Sequence, residues 1–112
     1  MPGRASTRSS KESVSRSFGV LSNRRQESAL DFHVPGQATW YDPPWSGLTA
    51  AHPWLPFGTQ VLVTDLASGR SVTVTIDDRG PFAPGRIIDL SPEAFAALQP
   101  LGAGVLDVTI AW

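Results

Sequence analysis

Cysteine is absent from the 112 residues. Its absence excludes disulfides, thiolate nucleophiles, zinc-finger ligation and a lipid carried on a thiol within the chain as written. Histidine is scarce, with only His33 and His52, so a His-based metal site would need carboxylate help; no metal or other cofactor is expected. No run of about 18 apolar residues occurs, so no membrane-spanning helix is expected. An excess of one charge is lacking as well. The 9 Lys+Arg and 10 Asp+Glu nearly cancel, which argues against a dedicated nucleic-acid surface, and nucleic acid is not an expected partner. The chain is rich instead in turn formers, with 10 Gly and 10 Pro. These point to loops and short strands rather than long helices. The length allows one small domain.

The charges are unevenly placed. Residues 1–37 hold six basic and three acidic side chains, whereas residues 38–112 hold three basic and seven acidic. The first 28 residues contain eight serines and almost no apolar pattern, too little to offset the entropy of ordering them. Residues 1–37 are therefore expected to form a disordered Ser/Arg-rich tail, and residues 38–112 the folded domain. The tail has no apolar core of a secretory signal, and Arg24-Arg25 is followed by Gln26, Glu27 and Ser28 rather than by an apolar run. It reads as a solvated tail or as the product of a misplaced start codon.

The folded part reads mainly as strands. Gln60–Leu66 and Ser71–Asp77 alternate, the second with Val72, Val74 and Ile76 on one face and Ser71, Thr73 and Thr75 on the other. Joined by Ala67-Ser68-Gly69-Arg70, they make a hairpin with Gly69 at a positive φ. Ala38–Tyr41, Arg86–Leu90 and Val105–Ala111 are further strands. One short helix follows Ser91-Pro92-Glu93, where Ser91 caps, Pro92 takes the first helical position and Glu93 faces the positive end of the dipole. Phe95 and Leu98 lie three residues apart on it and can seal one end of a sheet. A strand-rich chain of this size without disulfides must close on itself or expose sheet edges, which favours a small closed barrel.

Chemistry-bearing residues gather in two places. Asp77-Asp78-Arg79-Gly80-Pro81-Phe82 follows the clearest strand. Adjacent aspartates face opposite sides of a strand, so at most one continues the inward row of Ile76. A carboxyl group at a strand end beside a rigid Gly-Pro turn is well held for proton transfer; the residues alone favour the plainer reading, that both aspartates accept from turn amides. The second place is Gly47–Gly58, a Pro/Gly-framed loop holding His52 between Trp45 and Trp54. Pro53 restricts His52 to an extended backbone, and its imidazole either packs as a satisfied side chain or polarises a substrate group. Flat aromatics beside carboxylates suit sugar rings, or they belong to the barrel core and rim. Asp89, two residues before the helix, is read first as a partner for backbone donors at the helix start.

Trp40-Tyr41, Leu48-Thr49-Ala50-Ala51-His52, Leu55-Pro56-Phe57-Gly58-Thr59, Val63-Thr64, Asp78-Arg79-Gly80-Pro81-Phe82 and Gly85-Arg86-Ile87-Ile88-Asp89-Leu90-Ser91 resemble the rare lipoprotein A (RlpA) family in order and spacing. The resemblance spans residues 38–111. It implies a mainly β fold, a six-stranded double-psi β-barrel with one short helix. It also implies lytic transglycosylase activity on peptidoglycan, a carbon–oxygen lyase reaction that cuts the MurNAc–GlcNAc β-1,4 bond and leaves a 1,6-anhydro end. The family's catalytic aspartate maps to Asp78 and its active-site histidine to His52. Tyr41, Trp45, Trp54, Arg79 and Asp89 are the expected substrate-binding residues, Arg79 either holding a lactyl carboxylate or pairing with an acid. The implied partner is a peptidoglycan glycan strand, met by a monomer in the cell envelope or outside the cell.

The chain departs from the family pattern in two respects. Between Tyr41 and Leu48 it lacks the family's Thr-Ala-x-Gly-Glu segment, and Asp42 is the carboxylate nearest that place. The chain as written also shows no signal peptide, lipidated Cys or glycan-binding module after Trp112. One carboxyl group still suffices for a lytic transglycosylase, because the sugar's own C6 hydroxyl replaces the water that a hydrolase must activate. The alternative expectation is a non-catalytic, expansin-like glycan-binding barrel. A protein-interaction barrel, such as a secreted inhibitor, is the third.

Overall fold

The computed structural model describes residues 30–112. The expected tail falls mostly on residues 1–29, outside the described ones. Six strands close a barrel in the order β1-β5-β2-β4-β3-β6, with β6 returning to β1. They are β1 (His33–Trp40), β2 (Thr49–Ala51), β3 (Gln60–Asp65), β4 (Ser71–Asp78), β5 (Arg86–Leu90) and β6 (Leu106–Ala111). The pairs β1/β5 and β2/β4 are parallel; the other four are antiparallel. This is the six-stranded double-psi barrel that the family resemblance implies.

The β3/β4 hairpin forms as its alternation predicts, with Val61 opposite Val74 and Val63 opposite Val72. Val72, Val74 and Ile76 are buried while Thr73 is exposed. Gly69 takes φ 77° in the turn. Leu62, on the other face of β3, is buried as well. The interior is filled by branched aliphatics from β3, β4, β5 and β6, with Ala38 from β1 and Ala50 from β2, together with Phe95 and Leu98. Full burial of each large side chain contributes about 1.5–3 kcal/mol. Helix α1 (Pro92–Ala96) starts as predicted: Ser91 Oγ accepts from the Ala94 N–H, and Pro92 stands in the first turn. The Ser91 hydroxyl also donates to the Gly47 carbonyl, and Glu93 accepts from the Gly47 N–H, so the helix start anchors the 42–48 loop.

Two expectations are corrected. The first strand begins at His33, not Ala38, so five residues assigned to the tail belong to the barrel. Pro35 is tolerated in β1 because it lies in the half that β5 does not pair, where its missing N–H costs no ladder bond on that side. Gly36 is required by packing, since a Cβ there would come within 2.5 Å of the Ile87 side chain. The second correction is β2, a three-residue strand inside the segment read as loop. It is held between β4 and β5, so tertiary pairing overrides a local sequence full of loop formers.

Candidate functional site

Register builds the site before any side chain is considered. Thr39 of β1 stands opposite Asp89 of β5, Asp89 opposite Ala51 of β2, and Ala51 opposite Asp78 of β4. These four residues form one transverse row across neighbouring strands. Strands lie about 4.8 Å apart, so the backbones of Asp89 and Asp78 are roughly 10 Å from each other. Between them Ala51, itself buried, contributes only a methyl group. Asp78 takes this place through a β-bulge: the register steps from Ala50 opposite Ile76 to Ala51 opposite Asp78, so Asp77 is the extra residue and Asp78 joins the face of Ala51 and Asp89 instead of the core face of Ile76.

The two carboxyl groups are held differently. Asp78 accepts from the Tyr41 hydroxyl at Oδ2 (2.8 Å) and from the Arg79 backbone N–H at Oδ1 (2.9 Å). Asp89 accepts from the Thr39 hydroxyl at 3.0 Å. Burial pushes the Asp89 carboxyl above the usual carboxylate range, with the Asp78 charge adding, while the Thr39 hydrogen bond and the Arg86 charge oppose the shift. The Tyr41 phenol is driven far above its ordinary value by burial, then by its bond to Asp78 and the charges of Asp78, Asp77 and Asp89. It therefore stays a donor at any physiological pH. Asp77 is also raised, by burial and by Asp78; a backbone hydrogen bond and the Trp45 indole work against the rise. One Asp77 oxygen is buried without a partner.

His52 is joined to this row through the backbone, its N–H donating to the Asp78 carbonyl at 3.1 Å. The imidazole is buried, and its Nδ1 accepts from the backbone N–H of Trp54 (3.2 Å) and of Leu55 (3.1 Å). Burial and the nearby Arg79 charge lower its pKa. An Nδ1 that accepts two amides carries no proton, so the ring is the neutral tautomer with hydrogen on Nε2. Its faces meet Trp54 and Trp112 edge-on, with centroids 5.0 and 6.3 Å away.

The other expected site residues divide. Asp89 belongs to the row, and Tyr41 joins it through its hydrogen bond to Asp78. The Arg79 guanidinium donates through Nη1 to the carbonyls of His52 (3.2 Å) and Leu55 (2.7 Å) and lies over Phe57, fastening the 52–57 loop. Trp45 reaches Asp77 rather than Asp78. Asp89 does not serve the helix start, where Ser91 already caps; it accepts from Thr39 instead. Asp42 is exposed. Thr39 and Trp112 were not singled out in the sequence. For Thr39 a signal exists, since period two puts it on the same face as Tyr41. For Trp112 none does. Among the described residues no cluster of three His, Asp or Glu is placed to ligate a metal. What the row offers is proton transfer between a positioned carboxyl pair and a ligand lying across the barrel mouth.

A family model described as lytic transglycolase matches residues 45–110. Among curated proteins, the probable endolytic peptidoglycan transglycosylase RlpA of Synechocystis is 47% identical over 88 residues, covering 67% of this chain and 27% of that protein. The endolytic peptidoglycan transglycosylase RlpA of Yersinia pestis is 52% identical over 77 residues, covering 69% of this chain and 20% of that protein. The chain thus spans about a quarter of the length of these relatives. Among solved structures, the expansin of Clavibacter michiganensis superposes with a TM-score of 0.61 at 22% identity, over 72% of this chain and 50% of that one. A Streptomyces papain inhibitor superposes at 0.60 with 25% identity, over 74% of this chain and 96% of that one.

Proposed function

The chain belongs to the lytic transglycolase family, and from that premise we propose that its barrel cleaves peptidoglycan glycan strands at the MurNAc–GlcNAc β-1,4 bond. The supporting observation is the transverse row that sets Asp78 and Asp89 on either side of Ala51. In this reading the glycan crosses the barrel mouth over Ala51. Asp78 gives its proton to the glycosidic oxygen as the C1–O4 bond breaks. The C6 hydroxyl oxygen of the same MurNAc then bonds to C1 and its proton passes to Asp78, which restores the acid and closes the 1,6-anhydro ring. No water is consumed. Tyr41 fixes the Asp78 rotamer through its hydroxyl, and Asp89, which holds a proton more readily than an ordinary carboxyl group, hydrogen-bonds the sugar across the gap. His52 and Arg79 act one layer out, shaping the loop that borders the mouth. Such a substrate places the protein in the cell envelope, where it works as a single chain.

The test uses purified glycan strands, with 1,6-anhydro ends read by mass spectrometry. Asp78→Asn keeps size and hydrogen-bonding capacity but removes the transferable proton. It should lower cleavage by about 10²–10⁴-fold while leaving glycan binding intact. The segment between Tyr41 and Leu48 contains no Glu, which favours one second reading, a barrel that binds glycan without cutting it. Binding by the wild type with no anhydro ends establishes that reading. Equal cleavage by wild type and Asp78→Asn removes Asp78 as the proton carrier and makes Asp89 the next candidate.

A further inference from the structure

The parallel pairing of β1 with β5 starts only at Gln37 and Arg86; N-terminal to that point β1 is paired on the β6 side alone. Beside this break lies a cleft of about 130 Å³, whose walls include Val34, Arg86, Ile87, His52, Trp54 and Trp112. A cavity of about 150 Å³ holds one benzene ring, so this one suits a single six-membered ring. Trp54 is 64% exposed, an indole that the core does not use. Its ring meets Trp112 edge-on at 5.9 Å, and Trp112 is backed by a stacked Phe32 at 5.4 Å. Two indoles at an angle give a ring-sized corner with an apolar surface on each side. Among the lining side chains Arg86 carries the one guanidinium and none is acidic, although its charge also reaches Asp89 on the same strand. The combination selects a ring with a C–H face and an anionic substituent. The cleft also adjoins the carboxyl row: His52 lines it and bonds Asp78 through its backbone, and Arg86 lies on the same strand as Asp89.

We infer that this cleft is a subsite for an acidic sugar, its ring lying against Trp54 and Trp112 and its free carboxylate paired with Arg86. The inference rests on the glycan reading above and names the sugar unit that the strand presents beside the cleavage point. Asp78 is not needed for it, so the two stand or fall separately.

The probes are N-acetylmuramic acid and N-acetylglucosamine, which differ by the lactyl carboxylate, titrated by tryptophan fluorescence at low ionic strength. The acidic sugar should bind at least tenfold more tightly, and added salt should shrink the difference. Arg86→Gln should abolish the preference and leave both sugars at the weaker affinity, while Arg86→Lys should keep part of it. Trp54→Ala should weaken both sugars together. If Arg86→Gln does not fold, the Lys variant and the salt dependence of the wild type decide. Equal affinity for the two sugars, no binding of either, or a preference that survives Arg86→Gln overturns the subsite. Asp78→Asn should retain the preference although cleavage is lost. A wild type that prefers the acidic sugar but yields no anhydro ends supports the subsite and overturns the cleavage reading; one that cleaves without any preference does the reverse.

Discussion

His52 shows how the structure adds a local structural role to a residue singled out in the sequence. Its place in the Thr-Ala-Ala-His block points to contact with a sugar. The structure gives its Nδ1 two backbone amides to accept, those of Trp54 and Leu55. The ring therefore organises the loop. His52→Ala leaves both amides without their acceptor, at a cost of about 1–3 kcal/mol. His52→Asn offers an amide oxygen near the Nδ1 position and should recover most of that loss, which denaturant titration of the three proteins will show. The pH dependence has a definite sign. Burial, then the Arg79 charge, set the folded pKa below the ordinary 6.5, so the unfolded chain takes up the proton more readily. This contribution is complete above pH 6.5 and is lost as pH falls through the folded value; His52→Asn should lack that component. A proton-carrying His52 would instead make the Asn variant inactive at unchanged stability. Asp78 was legible as a carboxylate at a strand end beside a Gly-Pro turn, but the bulge that takes it off the Val72-Val74-Ile76 face has no signal in the alternation. The identity of its hydrogen-bond partner was not legible from spacing, since Tyr41 and Asp78 meet only once four strands have been set in register.

Elements with their own periodicity were readable, and elements made by their neighbours were not. β3, β4 and α1 carry their patterns locally, in alternating valines and in the Ser91-Pro92-Glu93 start. β2 has three residues and no pattern of its own; pairing with β4 and β5 creates it. The hairpin turn was placed correctly, yet the side chain that holds it was overlooked. Asp65 is fully buried and accepts from the amides of Ala67 and Ser68, the Ser68 hydroxyl and the Gln99 side chain. Burial alone would raise its pKa. The hydrogen bonds from Ser68, Gln99 and the turn amides outweigh burial and leave it below the ordinary 3.8. A carboxylate with a depressed folded pKa stabilises the fold above the unfolded value, here 3.8, and loses that contribution as pH falls through the lower folded value. Asp65→Asn should therefore be less stable at neutral pH, by about 1.5–3 kcal/mol for hydrogen bonds to a charged group. The gap to wild type should narrow on acidification below pH 3.8. Denaturant midpoints measured across that range give the check; a gap that stays constant or widens in acid would show that the charge on Asp65 does not hold the turn.

Closure is a property of the whole molecule, and it turns on the strand that composition concealed. β1 joins β6 along its full described pairing, from His33 opposite Ala111 to Ala38 opposite Leu106, and joins β5 from Gln37 onward. Without its first half, β6 presents an unpaired edge, and the Phe32–Trp112 stack disappears together with the two amides that Asp31 and Phe32 donate to the Trp112 carbonyl. The serine-rich composition drew the expected boundary at Ala38, because Pro35 and Gly36 oppose a strand unless one side of it stays unpaired. Two truncations separate composition from closure. A chain starting at residue 30 keeps all of β1, and a chain starting at Ala38 keeps only the part that sequence pattern alone recognises. The second should melt roughly 10 °C or more below the first, since about 1 kcal/mol shifts the midpoint of a domain this size by roughly 4–8 °C and several ladder and ring contacts go together. It should also lose the preference for an acidic sugar, because Val34 lines the cleft and Phe32 backs Trp112. Equal midpoints for the two truncations would mean that the barrel closes without the first half of β1, and that the boundary read from composition was the physical one.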